Sequence, residues 1–148
     1  MATNPRIAQG TLNRVRASVV IPNFPTLNIN SSHMGRDLLS LEFDEDFTEQ
    51  IPTATGIVNS PDPYVMATCS INLLRSQSLA DAWIQQAETY SLIGRIIIHS
   101  DTSAFTKKQV HNCSVLKANP GRMDGLNPTV DLVIRGVFYV NNNLWNLV

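Results

Sequence analysis

Between residues 65 and 74 apolar and polar side chains alternate without a break. Val65, Ala67, Cys69, Ile71 and Leu73 fall on one side of a period-two ribbon, and Met66, Thr68, Ser70 and Asn72 on the other. This pattern predicts a half-buried antiparallel strand, dry on one face and wet on the other. Arg75-Ser76-Gln77-Ser78 breaks the alternation. Ser78 is placed to cap a helix with its hydroxyl, and Asp81 to favour the positive end of the helix dipole. Leu79, Ala82, Trp83, Ala87 and Tyr90 then recur at helical spacing, with Asp81, Gln85 and Glu88 pointing away and only Ile84 off the stripe. The spacing predicts one flanking α-helix over about residues 79–90. The β-branched run at 94–100, opened by Gly94, predicts a buried strand to follow it.

Weaker patterns fill in the rest. Residues 14–21 alternate and are stopped by Pro22, Asn23 and Pro25, which predicts a first strand. Residues 27–29 are a candidate second strand. Residues 37–43 are another, with Leu39, Leu41 and Phe43 on one face. Between the acidic cluster at Asp44-Glu45-Asp46 and Tyr64, the prolines at 52, 61 and 63 with Thr53, Thr55 and Gly56 predict an extended loop over 44–63. A loop of that length inside a compact domain is usually functional or disordered. After the helix, strands are expected over 110–117 and 129–140, separated by turn-rich 119–128. The last is apolar on both faces and therefore expected to be central in its sheet. Residues 1–13 are expected to be a mobile polar tail. The C-terminal tail, 141–148, ends in Leu-Trp-Asn-Leu-Val, which must pack on its own domain or dock on a partner.

The composition narrows the function classes. A chain of 148 residues with 43% hydrophobic content is one domain by length, large enough for a real core. Eleven basic against 12 acidic residues leave a net charge of −1, and no basic run exceeds Lys107-Lys108, so neither tight nucleic-acid binding nor an anionic-membrane surface is expected. The N-terminus lacks a secretory pattern and no apolar run approaches the roughly 18 residues of a membrane span, which places the chain in a cytosol. The Asn30 and Asn112 glycosylation acceptor patterns have no meaning without secretion.

No chemical constellation stands out. Cys69 and Cys113 fall in predicted strands with no CxxC partner and read as small core residues. His111 and Cys113, two apart on one predicted strand, are expected to face the same side. Their backbones would lie about 6.5–7 Å apart, poor for a nucleophile pair. Glu42, Asp44, Glu45, Asp46 and Glu49 lack calcium-loop spacing and read as a solvated or interface face. His33 and His99 have no second ligand at metal spacing. Trp83 and Tyr90 read as core. No catalytic, cofactor-binding or metal residue is assigned, no cofactor is expected, and the chain is not expected to be an enzyme.

The segment Ala67-Thr68-Cys69-Ser70-Ile71-Asn72-Leu73-Leu74-Arg75-Ser76-Gln77-Ser78-Leu79-Ala80-Asp81-Ala82 resembles the strand, the Leu-Leu turn with small polar residues, and the helix of tail tube proteins from contractile-tailed bacteriophages, the myophage-type inner tube family. The β-branched strand, polar loop, Pro-Gly-Arg-Met-Asp-Gly turn and final strand continue the likeness from residue 65 onward, and residues 14–43 share it more loosely. The resemblance implies a mainly β protein, an antiparallel β-barrel or β-sandwich with one flanking helix and a long loop arm. It further implies a homo-oligomer of hexameric rings stacked into a tube inside a sheath. Sheath, baseplate and tail terminator proteins would be its partners, and DNA would pass through the lumen without tight binding. The subunit would be located in the virion tail after assembly in the host cytoplasm. A tailocin or secretion-system tube shares the fold, and a monomeric ligand-binding barrel is a third reading. Thr68, Ser70 and Asn72 could line a water-filled bore or face outer solvent, and the pattern does not choose between them.

Overall fold

A computed structural model of the chain describes residues 6–146. The alternating strand β5 (Tyr64–Leu74) forms as expected, with Val65, Ala67, Cys69, Ile71 and Leu73 all buried as the alternation predicts. Along its full length β5 pairs antiparallel with β8 (Thr129–Tyr139), from Tyr64 opposite Tyr139 to Leu74 opposite Thr129. On its other side lies β2 (Met34–Phe43). Beyond β8 come β7 (Lys108–Asn119), β6 (Leu92–His99) and the short β1 (Ser18–Val20), giving the order β1-β6-β7-β8-β5-β2. The six strands form one curled antiparallel sheet, a half-barrel that stops short of closure. The fold is thus mainly β and barrel-like with one helix. The final strand is interior to the sheet, as its two apolar faces require.

The helix α1 (Ser78–Thr89) packs on β5 and β7 and on a 3₁₀ turn at Pro25–Leu27, burying Leu79, Ala80 and Trp83. Three details differ from expectation. Ser78 is the first helical residue, not the cap; Gln77 occupies that place and gives no side-chain bond. Asp81 lies in the first turn, as expected, and also accepts from Gln85 Nε2 at 2.8 Å. Tyr90 lies past the helix end in extended backbone (φ −166°) and is 59% exposed, so it is not core. Ala80, which is not among the stripe residues named from the sequence, is buried as well.

Other corrections have local causes. The first strand is only Ser18–Val20, because Asn13 folds residues 14–16 into a turn, its Oδ1 accepting from Val15 N at 2.9 Å. The candidate strand at 27–29 is replaced by the 3₁₀ turn, which Pro25 starts. Ile29 alone bridges Val19. The expected loop at 44–63 contains a second sheet, a two-stranded hairpin of β3 (Thr48–Pro52) and β4 (Ile57–Pro61). Of the expected tails, residues 1–5 and 147–148 lie outside the described residues. Residues 6–12 are exposed without regular structure, and Asn142–Asn146 form a 3₁₀ turn with Leu144 half-buried and Trp145 exposed. Among the described residues no helix is long and apolar enough to cross a membrane.

Candidate assembly surface

The hairpin arm stands off the half-barrel with every residue of β3 exposed, and four of the five in β4. Ile51 sits opposite Val58, and Ile57 opposite Pro52, so apolar groups project from both of its faces. Its turn is closed by Thr53 N donating to Gly56 O (2.7 Å) and Gly56 N donating to Thr53 Oγ1 (3.1 Å). Proline is confined to strand ends, at Pro52 and Pro61, where the lost donor costs least. Neither face is buried, so no alternation marks these strands in the sequence.

The root of the arm is braced by contacts from distant sequence. Asn141 Nδ2 donates to Phe47 O (2.9 Å) and Asp62 O (2.8 Å), holding both legs, and Asp62 N donates to Phe47 O at 2.9 Å. Asn141 has φ +50°, a left-handed conformation that asparagine tolerates better than most residues. That tolerance, in the run Asn141-Asn142-Asn143, was the available signal for it. Phe43 packs against Phe47 (5.2 Å between ring centroids) and Phe138 (4.8 Å). Asp44 accepts from Thr68 Oγ1 at 2.7 Å and pairs with Arg135 Nε at 3.0 Å. This exposed pair contributes little energy but fixes direction at the base. The braced root and bare tip lead to an expected hydrogen-exchange result: fast amides over 48–61 in the isolated subunit, strongly slowed in an assembled state. Equal protection in both states would remove the arm from assembly.

The sheet face away from α1 is wet. Strand register aligns Glu42, Thr68, Arg135 and Ser114 in one row and Ser40, Ser70 and Val133 in the next. Thr68, Ser70 and Asn72 therefore share one polar surface spanning several strands. Along it Glu42, Asp44 and Asp131 offset Arg95, Lys117 and Arg135. The acidic group of the sequence is dispersed. Glu42 and Asp44 lie on this face, Glu45 and Asp46 in the connection, and Glu49 on the arm. Among the described residues no group of three His, Cys, Asp or Glu could hold a metal ion.

The expectation that His111 and Cys113 share a side is overturned. Asn112 adopts φ +50° and the pairing with β8 shifts between His111 and Ser114, which marks a bulge. The extra residue turns Cys113 into the core beside Val110, whose carbonyl accepts from Sγ at 3.2 Å. His111 is left on the other side, its ring 5.0 Å from that of Tyr139. Burial pushes the Cys113 thiol up to about 12. Burial, reinforced by Cys113, pushes Cys69 equally to about 12. Both thiols are core groups, as the strand positions imply. His33 Nδ1 accepts from Asn30 N at 3.3 Å, closing a capping box. His99 lines a groove of about 440 Å³ at the open mouth of the half-barrel, with Leu38, Leu41, Phe43, Ile98 and Phe105.

No family model and no curated protein matches the chain. Among solved structures it is similar to the tube-terminating cap of the anti-feeding prophage, determined by electron cryo-microscopy. The identity is 14% over 93% of this chain and 97% of that one, with a TM-score of 0.45. A likeness of that degree assigns no function.

Proposed function

We propose that this chain is a structural subunit that builds the inner tube of a contractile tail, assembling as rings of six copies stacked inside a sheath and conducting DNA. The observation that carries this reading is the open half-barrel. Residues 39–43 of β2 are paired to β5 on one side only, and the bulge at Leu38 (φ +53°) blunts only the first half of that edge. A bare strand edge is a template for another chain. A closed ring in which each sheet continues into its neighbour removes it. The resemblance of residues 67–82 to tail tube proteins supports the same reading, and it extends to a sheath, baseplate and terminator as partners. The polar, charge-balanced face suits a bore. DNA carries a phosphate charge about every 1.7 Å of axis, and a basic wall repeated in every ring would hold it.

A second reading, a monomeric ligand-binding barrel, draws on the apolar groove at the sheet's mouth. Sedimentation velocity at several concentrations, followed by negative-stain micrographs, separates the two. Rings or hollow tubes are expected. A monomer at every concentration favours the ligand-binding barrel. The same material should give no duplex gel shift at physiological salt, and a salt-sensitive shift would point to a nucleic-acid-binding role instead.

A further inference from the structure

The β7–β8 pair carries a protrusion at one end and a recess at the other. At its turn, residues 120–128, Met123 is 79% and Leu126 86% exposed. The loop that presents them is tied down. Arg75 donates to Pro120 O. The Asp124 carboxylate accepts from Leu126 N (2.9 Å) and Asn127 N (3.1 Å), bonds that hold its carboxyl below the usual carboxylate range. Gly121 (φ +70°) and Gly125 (φ +78°) supply the left-handed backbone these turns need. At the opposite end of the same two strands lies a recess of about 710 Å³ among His111, Phe138, Tyr139 and Trp145, with Lys107 and Lys108 at its side. Neither lysine has a carboxylate partner among the described residues.

We infer that the 120–128 loop of one copy seats in the aromatic recess of the next, with Met123 and Leu126 against the rings and Asp124 toward Lys107 and Lys108. This rests on the tube reading and names its axial contact. Distance excludes self-insertion, because the 11 residues of β8, ten steps of about 3.3 Å, set protrusion and recess about 33 Å apart. Chemistry matches, since a thioether packs well on ring edges. The pinned carboxylate answers two ammonium groups that have no carboxylate partner among the described residues, Lys108 Nζ donating only to Thr106 Oγ1 (3.5 Å). Arg122 carries the opposite sign on the same loop, but its charge is on a long flexible stem whereas that of Asp124 is fixed. Two different surfaces at opposite ends make a head-to-tail contact that does not close, which extends a stack without limit.

The chain carrying both Leu126→Cys and Trp145→Cys tests this in the assembled state. The native thiols are buried and stay protonated, so oxidation reads the introduced pair. A ladder of covalent multimers is expected on a non-reducing gel, with each single variant giving at most dimers. The doubly substituted Met123→Glu, Leu126→Glu chain should melt like the parent, since both sites are exposed, yet form stacks at least ten-fold shorter. Parent-length stacks from that variant, or assembled cysteine chains with no ladder, overturn the contact while leaving the tube reading intact. A parent chain that never assembles sinks both.

Discussion

Trp83→Ala should destabilise the subunit by about 3–5 kcal/mol, the range for removing a large buried aromatic. Trp83 is fully buried in the middle of α1, the one α-helix among the described residues, and belongs to the cluster that joins Leu79 and Ala80 to the core faces of β5, β6, β7 and β8. Truncation leaves a cavity that the helix cannot close, because strands held by their own ladders do not follow it. Its indole Nε1 has no hydrogen-bond partner among the described residues. Trp83→Phe should therefore cost much less than Trp83→Ala, since a smaller cavity is offset by removal of an unsatisfied polar group. Urea denaturation of the three proteins measures both steps. Parent-like stability of Trp83→Ala would show that the helix is peripheral to the fold.

Gly136→Ala should cost about 3 kcal/mol, at the upper end of overpacking effects. A methyl group there would stand 2.6 Å from Cys113 Sγ, 2.7 Å from His111 O and 2.8 Å from Val110 Cγ1. Two of those atoms belong to side chains that can shift, but the His111 carbonyl is backbone beside the bulge and moves only with the β7–β8 ladder. Cys113→Ala in the Gly136→Ala background should recover part of the loss and no more. The double-mutant cycle reads that coupling as a favourable interaction term. Full additivity of the two changes would mean that the sulfur is not what the methyl group meets.

Periodicity makes much of this protein legible in its sequence. The strand at 65–74, the helix around Trp83, the final strand and its interior position, and the core role of both cysteines follow from side chains sorted between a dry and a wet face. Such patterns report burial, and they succeed where one face of an element is buried. They fail where that condition does not hold. The β3–β4 hairpin is wet on both faces, so its strands carry no alternation and read as loop. The bulge at Asn112 slips the pattern by one residue and sends His111 and Cys113 to opposite sides, a consequence of backbone dihedrals that residue spacing does not encode. Asn141 gripping Phe47 and Asp62, Asp44 meeting Arg135, and the recess at Trp145 join residues far apart in the chain. Local sequence thus determined which segments are strand and helix and which face of each is dry. Where the sheet leaves an edge bare, how the arm is braced, and which ends of the molecule present a knob and a socket were decided by tertiary structure, because they depend on contacts between segments whose own patterns are silent about one another.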